Sequence, residues 1–138
     1  MAAISQTPAS VIYTSGPQGS GYAAAGVTIA AGNMVYNVSG TTTYGLADAN
    51  VSGAKTPVGM ALGGASPGQP FFFATTGAIV NPGGTMTVGA IIYLSVTEGG
   101  ITETYADIGT GEWSVIIGQA LTATSLLLTL TGQAIAKP

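Results

Sequence analysis

The side chains of this 138-residue chain that could do chemistry are few: five carboxylates, two lysines, no histidine, no cysteine and no arginine. Without imidazole or thiol there is no common general base, no usual zinc ligand and no thiolate nucleophile. A serine triad lacks its base. A Ser–Lys pair would need Lys55 or Lys137, and Lys137 stands one residue from the end. Ser52-Gly53-Ala54-Lys55-Thr56 is a poor phosphate loop, because no Gly precedes the Lys and Pro57 blocks the helix that should follow. The carboxylates are Asp48, Glu98, Glu103, Asp107 and Glu112. Two of them flanking a sugar could hydrolyse a glycosidic bond. Asp48 and Asp107 fall at matching places in a repeat, however, which suits turn formation. Calcium would want an Asp-rich loop, and none is present. Trp113 and the tyrosines (Tyr13, Tyr22, Tyr36, Tyr44, Tyr93, Tyr105) are the material of a sugar platform, but Tyr36 and Tyr93 also match across the repeat, which favours core. The expectation is a protein that is not an enzyme, with no catalytic residues, no metal and no cofactor.

The elements that would position these residues come in two series. Thr28-Ile29-Ala30-Ala31-Gly32-Asn33-Met34-Val35-Tyr36 is answered by Thr85-Met86-Thr87-Val88-Gly89-Ala90-Ile91-Ile92-Tyr93. Ala47-Asp48 is answered by Ala106-Asp107, and Val58-Gly59-Met60-Ala61-Leu62 by Ile117-Gly118-Gln119-Ala120-Leu121. Phe71 to Gly77 aligns with Leu126 to Gly132. The chain therefore reads as an internal duplication, residues 27–77 and 84–132, with the insertions at Gly/Ser-rich turns.

Composition sets the class. The chain has 22 Gly and 7 Pro, and these with many β-branched residues disfavour helix and suit short strands. Charged residues are 5% of the chain, against roughly 25% in an ordinary soluble domain. A surface of Thr, Ser, Ala and Gly is cheap to desolvate, which points to packing against neighbours in an assembly. Net charge is −3, and two lysines make no basic patch, so no nucleic-acid partner is expected. Val115 to Ala136 is apolar, but Gly118, Gln119, Ser125, Gly132 and Gln133 interrupt it, so it reads as two strands and no membrane partner is expected. The first residues carry neither the basic nor the long apolar region of a signal peptide.

The expected fold is all-β: a small β-sandwich or barrel of two internally duplicated β-units, preceded by an extended N-terminal arm. Residues 1–26 read as that arm, with Val11-Ile12-Tyr13 a short strand and Ser15 to Gly21 a flexible linker. Residues 27–80 read as the first β-unit and 81–138 as the second, sharing one domain. Strands are expected around Val27–Ile29, Met34–Tyr36, Thr41–Leu46, Pro57–Leu62 and Gln69–Thr76. The second series is Thr85–Val88, Ala90–Ser95, Ile101–Tyr105, Trp113–Leu121 and Thr124–Thr131, with a turn at Asn81–Gly84 between the units. Alternation along Phe71-Phe72-Phe73 sends Phe71 and Phe73 to one face and Phe72 to the other. Val11, Ile12, Tyr13 and Phe72 are the candidate contacts to a partner or a second copy. Removal of residues 1–21 is expected to leave a folded body.

With its Thr28–Tyr36 run, Val58-Gly59-Met60-Ala61 strand and Pro67-Gly68-Gln69 turn, the chain resembles the small capsid decoration (cement) proteins of tailed bacteriophages. The second series has Ala123-Thr124-Ser125 in place of Pro-Gly-Gln. The resemblance implies a structural protein on the outer capsid surface of the virion. It would bind the major capsid protein and form a homo-oligomer, a trimer being favoured. The alternative is a tail, fibre or surface-adhesion β-module that binds a host receptor or glycan.

Overall fold

Short β-branched and apolar runs, each ended by Gly, Pro or Asn, become strands linked by tight turns. The computed structural model describes residues 4–38, 42–131 and 133–137. Met1 to Ala3, Thr41 of one expected strand and Gly132 of the repeat lie outside them. In chain order the strands are β1 (Val11–Ser15), β2 (Gln18–Ala23), β3 (Met34–Asn37), β4 (Thr43–Leu46), β5 (Gly59–Ala61), β6 (Pro70–Ala74) and β7 (Ile79–Pro82). They continue as β8 (Ile91–Leu94), β9 (Ile101–Thr102), β10 (Trp113–Ser114), β11 (Ile116–Thr122), β12 (Ser125–Leu128) and β13 (Ile135–Ala136). Single 3₁₀ turns at Pro8–Ser10, Ser52–Ala54 and Tyr105–Asp107 are the helical pieces among the described residues. The protein is all-β.

β2, β6, β5, β3 and β4 form a closed barrel, with the parallel pair β2·β4 as the closing contact. The other main sheet runs β1-β7-β12-β11-β8-β9. Its last five strands repeat the barrel's order, β7 standing for β2, β12 for β6, β11 for β5, β8 for β3 and β9 for β4. The registers agree too. Met34 faces Met60 and Val35 faces Gly59 in the barrel; Ile91 faces Gln119 and Ile92 faces Gly118 in the sheet. Met60 then faces Ala74 as Gln119 faces Leu127. Ala61 faces Phe73 as Ala120 faces Leu126, so the counterpart of Phe73 is Leu126, two residues away from the alignment that the sequence suggests. The slip preserves parity, so inward residues still match inward residues.

Two apolar clusters follow from the alternation. Ala23, Ile29, Val35, Ala61, Phe71 and Phe73 fill the barrel. The outward residues of the same strands, Met34, Met60 and Ala74, pack instead with Val80, Ile92, Leu94, Ile117, Leu126 and Leu128 from the inner face of the sheet. The barrel's outside is thus part of the sheet's core, and the two share one hydrophobic centre. Loops join them as well: Met34 N–H donates to Gly99 O at 2.9 Å and Gly99 N–H to Ala47 O at 2.7 Å.

Of the expected arm, the described residues 4–26 do not form one. β1 pairs with β7 in the register Val11–Pro82, Ile12–Asn81, Tyr13–Val80. β2, expected as a flexible linker, is a barrel strand that pairs with β6 from Gln18–Ala74 to Tyr22–Pro70. Its glycines are there for packing: a Cβ on Gly21 would overlap the Tyr44 ring. Upstream, Ile4 N–H donates to Ile101 O of β9 and Thr7 N–H to Gly83 O, each at 2.8 Å. The N-terminal segment so touches both β7 and β9, the two strands that lack the closing pair their barrel counterparts make. Removing residues 1–21 would open the barrel as well as this seam.

Smaller differences have local causes. Ile79–Pro82 is a strand across the expected unit boundary; Pro82 ends it, and the Asn81 side chain accepts from Gly83 N–H at 2.9 Å to turn the chain. Thr85–Val88 is a loop, fixed by Met86 N–H to Ala123 O. Val27–Ile29 keeps one bridge, Ile29 to Ala65. The long strand expected at Trp113–Leu121 breaks at the buried Val115.

Candidate functional site

The outer surface of the β2·β6 pair presents the most exposed aromatic group. Ser20 lies opposite Phe72 and Tyr22 opposite Pro70. All four point away from the barrel because their neighbours Gly21, Ala23, Phe71 and Phe73 point in. Phe72 is 63% exposed and Tyr22 48%. The two rings are diagonal neighbours, a spacing at which large side chains cooperate. With Ser20, Gly21, Thr42 and Phe71 they and Pro70 line a concavity of about 370 Å³. Among the described residues no charged one lines it.

The support beneath is rigid. Tyr44, Phe71 and Phe73 make a three-ring cluster with centroid separations of 6.0, 4.9 and 5.7 Å, the first edge-on. These rings fix β6 from inside, so Phe72 is held out by a locked strand. Burying a Phe side chain fully is worth about 1.5–3 kcal/mol, and Phe72 leaves most of that area exposed at the edge of this concavity.

A second apolar surface lies on the outer face of the six-stranded sheet. Ile79, Leu127, Gln119 and Ile91 form one cross-strand row. Ile116 and Leu121 on β11 and Ile12 on β1 add to it, each exposed. The face carries no charge.

The four contacts expected from sequence divide. Phe72 and Ile12 are exposed, Ile12 at 58%. Val11 and Tyr13 alternate with Ile12 and turn inward: Tyr13 packs on the shared core and its hydroxyl donates to Gly16 O, while Val11 sits against Gly32 and Gly83. Tyr22 and Pro70 were not foreseen. The signal for Tyr22 was its alternation with Gly19, Gly21 and Ala23, which is hidden by a linker-like composition.

Four of the five carboxylates are occupied locally. Asp48 accepts from Asn50 N–H at 2.8 Å in a turn. Asp107 accepts from the buried Thr102 hydroxyl at 2.7 Å. Glu103 accepts from both Thr87 N–H and Thr87 Oγ1, and Glu112 from Gly109 N–H. Among the described residues no three acids gather as a metal site would need. Each lysine lies over a ring, Lys55 over Trp113 at 4.4 Å and Lys137 over Tyr105 at 4.3 Å. Lys137 also donates to Ile108 O at 2.6 Å. No helix among the described residues is long and apolar enough to cross a membrane.

No protein-family model, curated protein or solved structure matches the chain.

Proposed function

We propose that this chain is a structural virion protein that binds the outside of a phage capsid and cements contacts between major capsid subunits, acting as a homo-oligomer and most simply as a trimer. The observation that carries this reading is the charge-free Tyr22–Pro70–Phe72 surface held out by a rigid barrel. A chain in which four of five carboxylates and both lysines are engaged with local partners has contact surfaces rather than reaction centres to offer. Cementing asks for modest contacts repeated over a lattice, and a closed oligomer adds them through effective concentration. Apolar anchors with few ion pairs give attachment that depends weakly on salt. The sequence resemblance to decoration proteins supports the same reading.

The test is the copy number of this chain relative to the major capsid protein, by quantitative mass spectrometry of purified particles. The expected result is a number that scales with the capsid lattice. A few copies per particle would replace this reading with a tail or fibre module. Absence from particles would overturn it and leave the adhesion reading.

A further inference from the structure

We propose that the N-terminal strand is exchangeable between copies: β1 of one chain occupies the seam beside β7 of a second, so the partner that this seam recognises is the N-terminal segment of the same protein. The inference does not rest on the capsid reading, and either can fail alone.

The seam is shaped to this segment. The Gln6 side-chain amide donates to Gly32 O and Pro82 O, both at 2.9 Å. A Cβ at Gly83 would stand 2.5 Å from Thr7 O, and one at Gly84 would overlap Ser5 O, so the backbone of residues 5–7 lies in space that only glycine leaves. β1 then adds its register with Asn81 and Val80. These contacts specify the path of the segment and are the same whichever chain supplies it.

The connection is a hinge. β1 ends at Ser15 and β2 begins at Gln18, and the two belong to different sheets, so Gly16-Pro17 turns a corner between them. Gly16 has φ +105°, and a Cβ there would lie 2.5 Å from Ala78 Cα. Rotation about Gly16 straightens the corner into an extended crossing, at the cost of the bonds that Thr75 N–H donates to Pro17 O at 3.1 Å and the Tyr13 hydroxyl donates to Gly16 O. Short hinges beside a terminal element favour exchange. Residues 4–23 carry no charge, so release and docking break no ion pair. The barrel has no equivalent freedom, because the strands of its closing pair, β2·β4, are internal to the chain. Closed and exchanged forms share their contacts; they differ in the hinge and in the entropy of association, so concentration decides between them.

Ile12 and Asn81 are direct cross-strand partners, and the chain has no cysteine. Chains carrying Ile12→Cys or Asn81→Cys are purified separately, unfolded together at high concentration, refolded and oxidised. Exchange yields the mixed disulfide dimer in large excess over either homodimer, since only that pair is brought to bonding distance. Dimers in the proportions of random collision, or none, would overturn the proposal. If the Asn81 variant does not fold, sedimentation of the unaltered chain after concentrated refolding gives the second reading. An oligomer that forms on concentrated refolding but not on concentrating the native chain supports exchange; monomer throughout, or an oligomer that the native chain forms equally, overturns it.

Discussion

Two rows of residues hold the same places in the same strand order and meet opposite fates. Gln18, Ala74, Met60 and Met34 run across the barrel; Ile79, Leu127, Gln119 and Ile91 run across the sheet. In the barrel row Ala74, Met60 and Met34 are wholly buried beneath the sheet. The matching sheet row faces out. The seams differ in the same sense: the barrel closes with its own β2·β4 pair, and the sheet is bounded by a segment from the chain's start. One backbone pattern thus serves as an inner wall in one place and as a presented surface in the other, and the side chains show which. Met60 is apolar where it is covered; its counterpart Gln119 is polar where it is open, its amide donating to Gly89 O at 3.2 Å.

The largest effect expected is at the seam. Deleting residues 1–15 keeps β2 and the barrel but strips the sheet of β1, Ile4 and the Gln6 contacts. The loss should take a large part of the roughly 5–15 kcal/mol available to a domain of this size. Amide exchange should quicken at Ile79, Val80 and Asn81 and at Ile101–Thr102, and stay slow in β3, β5 and β6. Equal quickening in both halves would break the distinction between them.

Exchanging the row residues sharpens it. Met60→Gln buries an amide without partners in the shared core and should cost about 3 kcal/mol in denaturant unfolding. Its mirror, Gln119→Met, should change stability by no more than about 0.5 kcal/mol. Similar costs at both positions would contradict the assignment of inside and outside.

Gly59 and Gly118 should behave alike. A Cβ on Gly59 would come 2.5 Å from Ala74 O, and one on Gly118 would overlap Leu127 O, the equivalent carbonyl. Alanine at either should cost about 1–3 kcal/mol by overpacking. A smaller loss than at either glycine is expected at Lys55: Lys55→Ala removes a partly exposed ammonium–Trp113 contact and about 0.5–1 kcal/mol, read in denaturant unfolding.

What was legible in the sequence follows from local periodicity. Phe71-Phe72-Phe73 divides between the faces because strand side chains alternate, and Phe71 and Phe73 are indeed in the barrel while Phe72 is out. The Gly59 and Gly118 strands were recognisable because a close cross-strand approach leaves glycine at one register position. β2 was not legible, since a glycine that makes room for a ring looks the same in sequence as one in a loose linker. β7 was masked by the turn residues that end it. That Met34 and Met60 pack under the sheet, and that residues 4–15 border it, are tertiary facts with no local signature. Of the candidate surface, Phe72 and Ile12 could be read from alternation; Tyr22 and Pro70 needed the β2·β6 pairing.

The measurement that bears most directly on the function is the occupancy of the Tyr22→Ser/Phe72→Ser variant on shells of the major capsid protein, by co-sedimentation beside the unaltered chain. Both side chains are exposed, so the variant's unfolding midpoint should be unchanged. The variant is expected to lose most of its binding. Full occupancy by a folded variant would contradict the claim that this surface is what grips the capsid.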